Sequence, residues 1–173
     1  RPPWRQDDAC CIFHSTSVDK KKPFREAWEY YLADAFTDSR TVASLDCAGF
    51  VFAVDIELEN LIICDKADFS GAVFTRGTSF ARTRFTEADF SGARFERGVS
   101  FDGALFLREV SFDRTEFHGK TSFANAEFLT PLRFRGVQCS GPALFSMAQF
   151  AAASFDHAVF LDHGVRLNHR PFL

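Results

Sequence analysis

The sequence predicts an all-β solenoid built of stacked square coils, and three observations carry that reading. From residue 69 onward a bulky anchor recurs every five or six residues: Phe69, Phe74, Phe80, Phe85, Phe90, Phe95, Phe101, Phe106, Phe112, Phe117, Phe123, Phe128, Phe134, Cys139, Phe145, Phe150, Phe155 and Phe160. Two residues before each anchor stands a small or β-branched residue: Ala ten times, Thr four times, Val three times, and Leu only at Leu132. Glycines then follow several anchors, at Gly71, Gly92, Gly103, Gly119, Gly136 and Gly141.

A period near five matches neither a helix nor an uninterrupted strand, whose side chains repeat every 3.6 and 2.0 residues. Alternate residues of a strand share a face, so an anchor and the residue two before it both point inward from one short extended segment, which then turns a corner. Four such sides close a coil. Stacking coils at the strand spacing of ~4.8 Å sets each Phe over an equivalent Phe, an arrangement offset aromatic packing favours. The small partner leaves room for the ring, and the glycines supply backbone freedom for tight corners. Spacings of six alternate with five, so a coil takes 21 or 22 residues, and the extra residue reads as a bulge at alternate corners. The pattern reaches back, less regularly, through Phe52, Leu58 and Ile63.

Ahead of the repeats, Pro23 is followed by Phe24, Trp28, Tyr31, Leu32, Ala35 and Phe36 at helical intervals, which predicts an amphipathic helix over about 23–37. A solenoid must cover its terminal coil to hide apolar core and unpaired strand edges, so this helix reads as a cap. The chain thus divides into an N-terminal segment (1–45), a solenoid (46–162) and a C-terminal tail (163–173).

The 173 residues carry a net charge of −3 and a pI near 6.0, which argues against a polybasic nucleic-acid or membrane-surface protein. No apolar run is long enough for a membrane span, and the opening RPPWRQDD has no apolar core of a signal peptide. Five cysteines in no framework spacing fit a reducing compartment, so a cytoplasmic location is expected.

The tandem units ADFSG (67–71), AVFTR (72–76), ADFSG (88–92) and ARFER (93–97) resemble the pentapeptide-repeat family, and the likeness extends over roughly residues 46–162. The Phe anchors with alternating spacing are similar to its Phe-rich subgroup. The resemblance implies a right-handed quadrilateral β-helix with a non-catalytic role. That subgroup often carries cysteines upstream of a stretch similar to Cys11–His14, which implies a small zinc element. Cys10, Cys11 and His14 would supply ligands, but zinc takes four. Further ligands would have to lie upstream, and no cofactor is otherwise expected.

No GxSxG, P-loop, HExxH or paired-carboxylate spacing appears, so no enzyme is expected. Two non-catalytic functions follow. One is a scaffold that binds a protein partner, or a second copy of itself, through a flat solenoid face. Counting anchors around four sides places Phe85, Phe106, Phe128 and Phe150 together, with Leu105, Leu107, Leu129 and Ala151 pointing outward beside them and Leu144 near the adjoining edge. A partner, or a terminal segment such as the helix bearing Trp28 and Phe36, would cover that apolar face. The other function, implied by the resemblance, is DNA mimicry directed at gyrase or another topoisomerase. Residues 68–160 hold ten acidic and ten basic side chains, which weighs against replacing a phosphate backbone.

Overall fold

The computed structural model describes residues 13, 14 and 21–161. A helix α1 (Lys21–Ala35) precedes short strands that all pair in parallel, each with the strand one coil away. The result is a right-handed quadrilateral β-helix.

Its four sides are named I to IV by their inward anchors. Phe69, Phe90, Phe112, Phe134 and Phe155 lie on side I. Phe52, Phe74, Phe95, Phe117, Cys139 and Phe160 lie on side II. Leu58, Phe80, Phe101, Phe123 and Phe145 lie on side III, and Ile63, Phe85, Phe106, Phe128 and Phe150 on side IV. Sides IV and I share one sheet because the strands Ile62–Asp68 and Arg84–Asp89 run through the corner between them.

Every anchor from Phe52 to Phe145 is buried, as is the small partner two residues before each from Ala67 to Ala143. Rings on one side lie face over face: Phe74 and Phe95 at 4.5 Å, Phe90 and Phe112 at 4.9 Å, Phe101 and Phe123 at 4.9 Å, Phe106 and Phe128 at 4.7 Å. Rings from sides I and III meet edge to face across the axis, Phe101 with Phe112 at 5.3 Å and 87°. The core therefore combines both favoured aromatic geometries. Among the described residues the last coil is looser, with Phe155 38% exposed.

The corners explain the two spacings. After sides I and III the residue three past the anchor donates its N–H to the anchor carbonyl, as Ala93 does to Phe90 (2.9 Å) and Thr115 to Phe112 (3.0 Å). The residue between them has positive φ, for example Gly92 at 65° and Arg114 at 60°, which makes a type II turn. These corners always take five residues. The sixth residue falls at corners after sides II and IV, as the register shift between Ile63 and Lys66 shows. Gly119 and Gly141 serve another purpose than the turn glycines. A Cβ on Gly119 would stand 2.5 Å from the backbone of Gly98, and one on Gly141 would stand 2.5 Å from the carbonyl oxygen of Gly119. They are glycine because neighbouring coils touch there.

Helix α1 begins and ends two residues earlier than the spacing predicts. Pro23 is accommodated in the first turn, where its missing N–H would lack a partner anyway. Phe36 leaves the helix to bridge Val42 antiparallel. The ladder itself starts at Thr41–Val42, paired with Ile62 and Ile63. Phe24 and Trp28 pack on Phe52 at 5.7 and 5.1 Å. The Tyr31 hydroxyl donates to the Asp46 carbonyl (3.1 Å) and accepts from the Asp46 N–H (2.9 Å). Val51 N–H donates to the Phe13 carbonyl. The segment thus seals the first coil's edge, which a solenoid end requires.

Candidate protein-interaction face

Side IV presents two outward columns, one on each flank of its anchors. Ile62, Arg84, Leu105, Glu127 and Gln149 stand in register on one flank. Cys64, Thr86, Leu107, Leu129 and Ala151 stand on the other. The second column is held by the backbone: Leu107 N–H donates to Phe85 O (2.9 Å), Leu129 N–H to Phe106 O (3.0 Å) and Ala151 N–H to Phe128 O (3.0 Å). Leu129 is 54% exposed and Ile62 40%, Ala151 is exposed, and Leu105 and Leu107 are half-buried.

The structure therefore brings Leu105, Leu107, Leu129 and Ala151 onto one side. Leu144 pairs with Ser122 on side III, around the corner from them. Helix α1 does not cover this face, because its apolar residues are spent on Phe52 and Phe13 at the end of the first coil. Ile62, Arg84 and Glu127 belong to the same face but were not singled out from sequence. Ile62 precedes the anchor Ile63 as Leu105 precedes Phe106, so the same counting applied one coil earlier places it on this face.

Cys10 and Cys11 lie outside the described residues. His14 Nε2 stands 3.4 Å from the Ala48 carbonyl oxygen, and its ring packs edge-on against Phe50 at 5.3 Å. Among the described residues no cluster of three or more His, Cys, Asp or Glu could hold a metal. Cys47, Cys64 and Cys139 are free thiols. Burial pushes the Cys139 thiol up to about 12 and raises that of Cys47 as well.

Part of the charged surface is paired, within a coil or between neighbouring coils. Arg94 contacts Glu96 (2.8 Å) and Glu116 (3.7 Å), Arg135 contacts Asp113 (2.6 Å), and Arg82 contacts Glu59 (3.4 Å). Lys66 joins Asp68 at 2.6 Å. Arg133 pairs with Glu109. Arg76 and Arg97 stand in one column at the corner between sides II and III, one coil apart, as their neighbours Gly77 and Gly98 next to Thr78 and Val99 require. Side III also holds an open groove whose lining includes Asp55, Ser79, Gly98, Asp102 and Lys120.

This coil geometry agrees with the comparisons. The family model described as pentapeptide repeats (9 copies) matches residues 63–105 and 101–143. Residues 63–143 of the chain are therefore pentapeptide repeats. No curated protein matches it. Among solved structures, a trypsin-treated variant of QnrB1, a plasmid-mediated fluoroquinolone resistance protein, is 17% identical over 74% of each chain with a TM-score of 0.29. HetL, a pentapeptide repeat protein involved in heterocyst differentiation regulation from the cyanobacterium Nostoc sp. strain PCC 7120, is 12% identical over 77% of this chain and 93% of its own, with a TM-score of 0.17. At those scores neither likeness carries an argument, and the fold rests on the chain's own ladders. No helix among the described residues is long and apolar enough to cross a membrane.

Proposed function

We propose that the protein is a non-catalytic scaffold that engages a protein partner through side IV. The observation that carries this reading is the column of Leu107, Leu129 and Ala151, fixed in register on a rigid ladder with Leu129 54% exposed. Apolar side chains stacked on a flat face favour contact with another protein over water. The Phe-filled core keeps the columns at constant spacing, so the face is organised before binding and loses little entropy on docking. The pairing of carboxylates with Arg and Lys across coils supports this reading over DNA mimicry, which needs unneutralised negative charge to stand in for phosphates.

Photo-crosslinking in cells tests it. A crosslinking amino acid at Leu129 should form protein adducts, and one at Glu116, on side II, should not. Adding Leu107→Glu should abolish the adducts from position 129. Equal adducts from both positions, or none from position 129, would remove side IV as the interaction face.

A further inference from the structure

If side IV is the interaction face, its charges also identify the partner. We infer that side IV pairs two copies of this chain, antiparallel, about a twofold axis running along the Leu105–Leu107 rung.

The register carries the argument. Leu105 is paired with Arg84 on one neighbouring coil and with Glu127 on the other, so a cation and an anion flank it at equal distance in one column. Each lies one strand spacing, ~4.8 Å, from the Leu105 level. Neither Arg84 nor Glu127 forms an ion pair among the described residues, whereas Arg82, Arg94, Arg108, Arg133 and Arg135 all do. Nearby on the same side of the prism, Arg108 reaches Glu87 at 3.9 Å. Arg76, Arg97, Arg114 and Lys120 also form no ion pair among the described residues, but they lie away from side IV; in the two columns of side IV the unpaired charges are Arg84 and Glu127, placed symmetrically about the apolar rung.

A twofold axis lying in the face and along the strands reverses the coil order and keeps each column opposite itself. Leu105 then meets Leu105, and Leu107 meets Leu107. Arg84 of each copy meets Glu127 of the other, giving two equivalent ion pairs. In the second column Leu129 meets Thr86, and Ala151 meets Cys64, so no like charges within the two columns oppose each other. Self-complementarity of this kind is what an isologous interface requires. Any other copy-to-copy register in this orientation sets a charge against an apolar rung or leaves both charges unpaired, so the ion pairs fix the alignment. Parallel packing about a twofold axis along the solenoid would exchange the two columns, placing Arg84 opposite Thr86 and Glu127 opposite the apolar Leu129, with no ion pair formed.

Sedimentation velocity over a concentration series tests the arrangement, with the parent protein, Arg84→Glu, Glu127→Arg and the double exchange. The parent should dimerise. Each single reversal sets like charges face to face twice and should weaken the dimer at least about tenfold. The double exchange should restore association to within about threefold, because the geometry is unchanged and only the signs are traded. Both sites are exposed, and circular dichroism of each variant should match the parent. A parent that stays monomeric, single reversals that associate as the parent does, or an exchange that fails to restore the dimer would each overturn the inference. A monomeric parent that still crosslinks to another protein from position 129 would leave the scaffold reading standing and remove only the dimer. Loss of the crosslinks, with a dimer that ignores Arg84 and Glu127, would remove both.

Discussion

Replacing Phe112 with Ala should destabilise the fold by about 4–5 kcal/mol, the upper end of the range for a buried Phe. Phe112 is fully buried. Its ring stacks on Phe90 at 4.9 Å, meets Phe101 and Phe123 edge-on at 5.3 and 5.4 Å, and lies 5.2 Å from Phe134. These four rings, together with Phe106 and Phe117 at 6.1 and 6.3 Å, lose a partner at once, and each close pair is worth about 0.5–1.5 kcal/mol beyond area burial. The coils above and below are held apart by backbone hydrogen bonds, including Phe112 N–H to Arg133 O at 2.9 Å, so the walls cannot close the cavity. Two comparisons isolate this cause. Phe155→Ala, at a ring already 38% exposed, should cost about 1–2 kcal/mol. Gln138→Ala, exposed on side II, should fall within about 0.5 kcal/mol. Asp113 points outward too but is no neutral control, since it accepts from Arg135 N, Nε and Nη2 at 3.0, 3.1 and 2.6 Å. Urea titration of the three variants measures the order. A Phe112→Ala cost no larger than that of Phe155→Ala would refute the account of a core held rigid around stacked rings.

The glycines should separate by cause. Gly92→Ala meets open space at φ 65° and should cost about 1–2 kcal/mol of backbone strain. Gly119→Ala drives a methyl into the backbone of Gly98 and should cost about 3 kcal/mol or more, with equal costs by thermal denaturation contradicting the close approach. Tyr31→Phe removes the hydroxyl that holds both backbone groups of Asp46, and should cost about 1–2 kcal/mol. Hydrogen exchange should quicken at Asp46 while Phe112 stays protected, and unchanged exchange at Asp46 would mean the helix does not clasp that edge. With Cys10 and Cys11 changed to Ser, a thiol reagent at pH 8 should label exposed Cys64 in the native protein. Cys47 and Cys139 should react only after denaturation, since both are buried and Cys139 is pushed up to about 12. Rapid native labelling of Cys139 would place that anchor outside the core.

The inward register was legible in the chain because it is a local property: residues two apart in an extended segment share a face whatever surrounds them. Ala88 with Phe90, or Thr121 with Phe123, states that rule without reference to any other coil. The stacking of Phe85, Phe106, Phe128 and Phe150 also followed, since counting four sides of known length needs only the spacing. The structure decided what depends on contacts between distant residues. Arg82 and Arg114 accept positive φ at corners where glycine would be expected, because the turn is imposed by the ladders on either side. Gly119 looks like a turn glycine in sequence, but its need arises from the backbone of Arg97 and Gly98 one coil away. Helix α1 carries an apolar stripe that could have lain on the Leu107–Leu129 face. It lies on Phe52 instead, where the open edge at Asp46 offers the Tyr31 hydroxyl two backbone partners. Periodicity fixes which way a side chain points, whereas the partner it meets is settled by how the coils stack and which unpaired backbone groups remain to be satisfied.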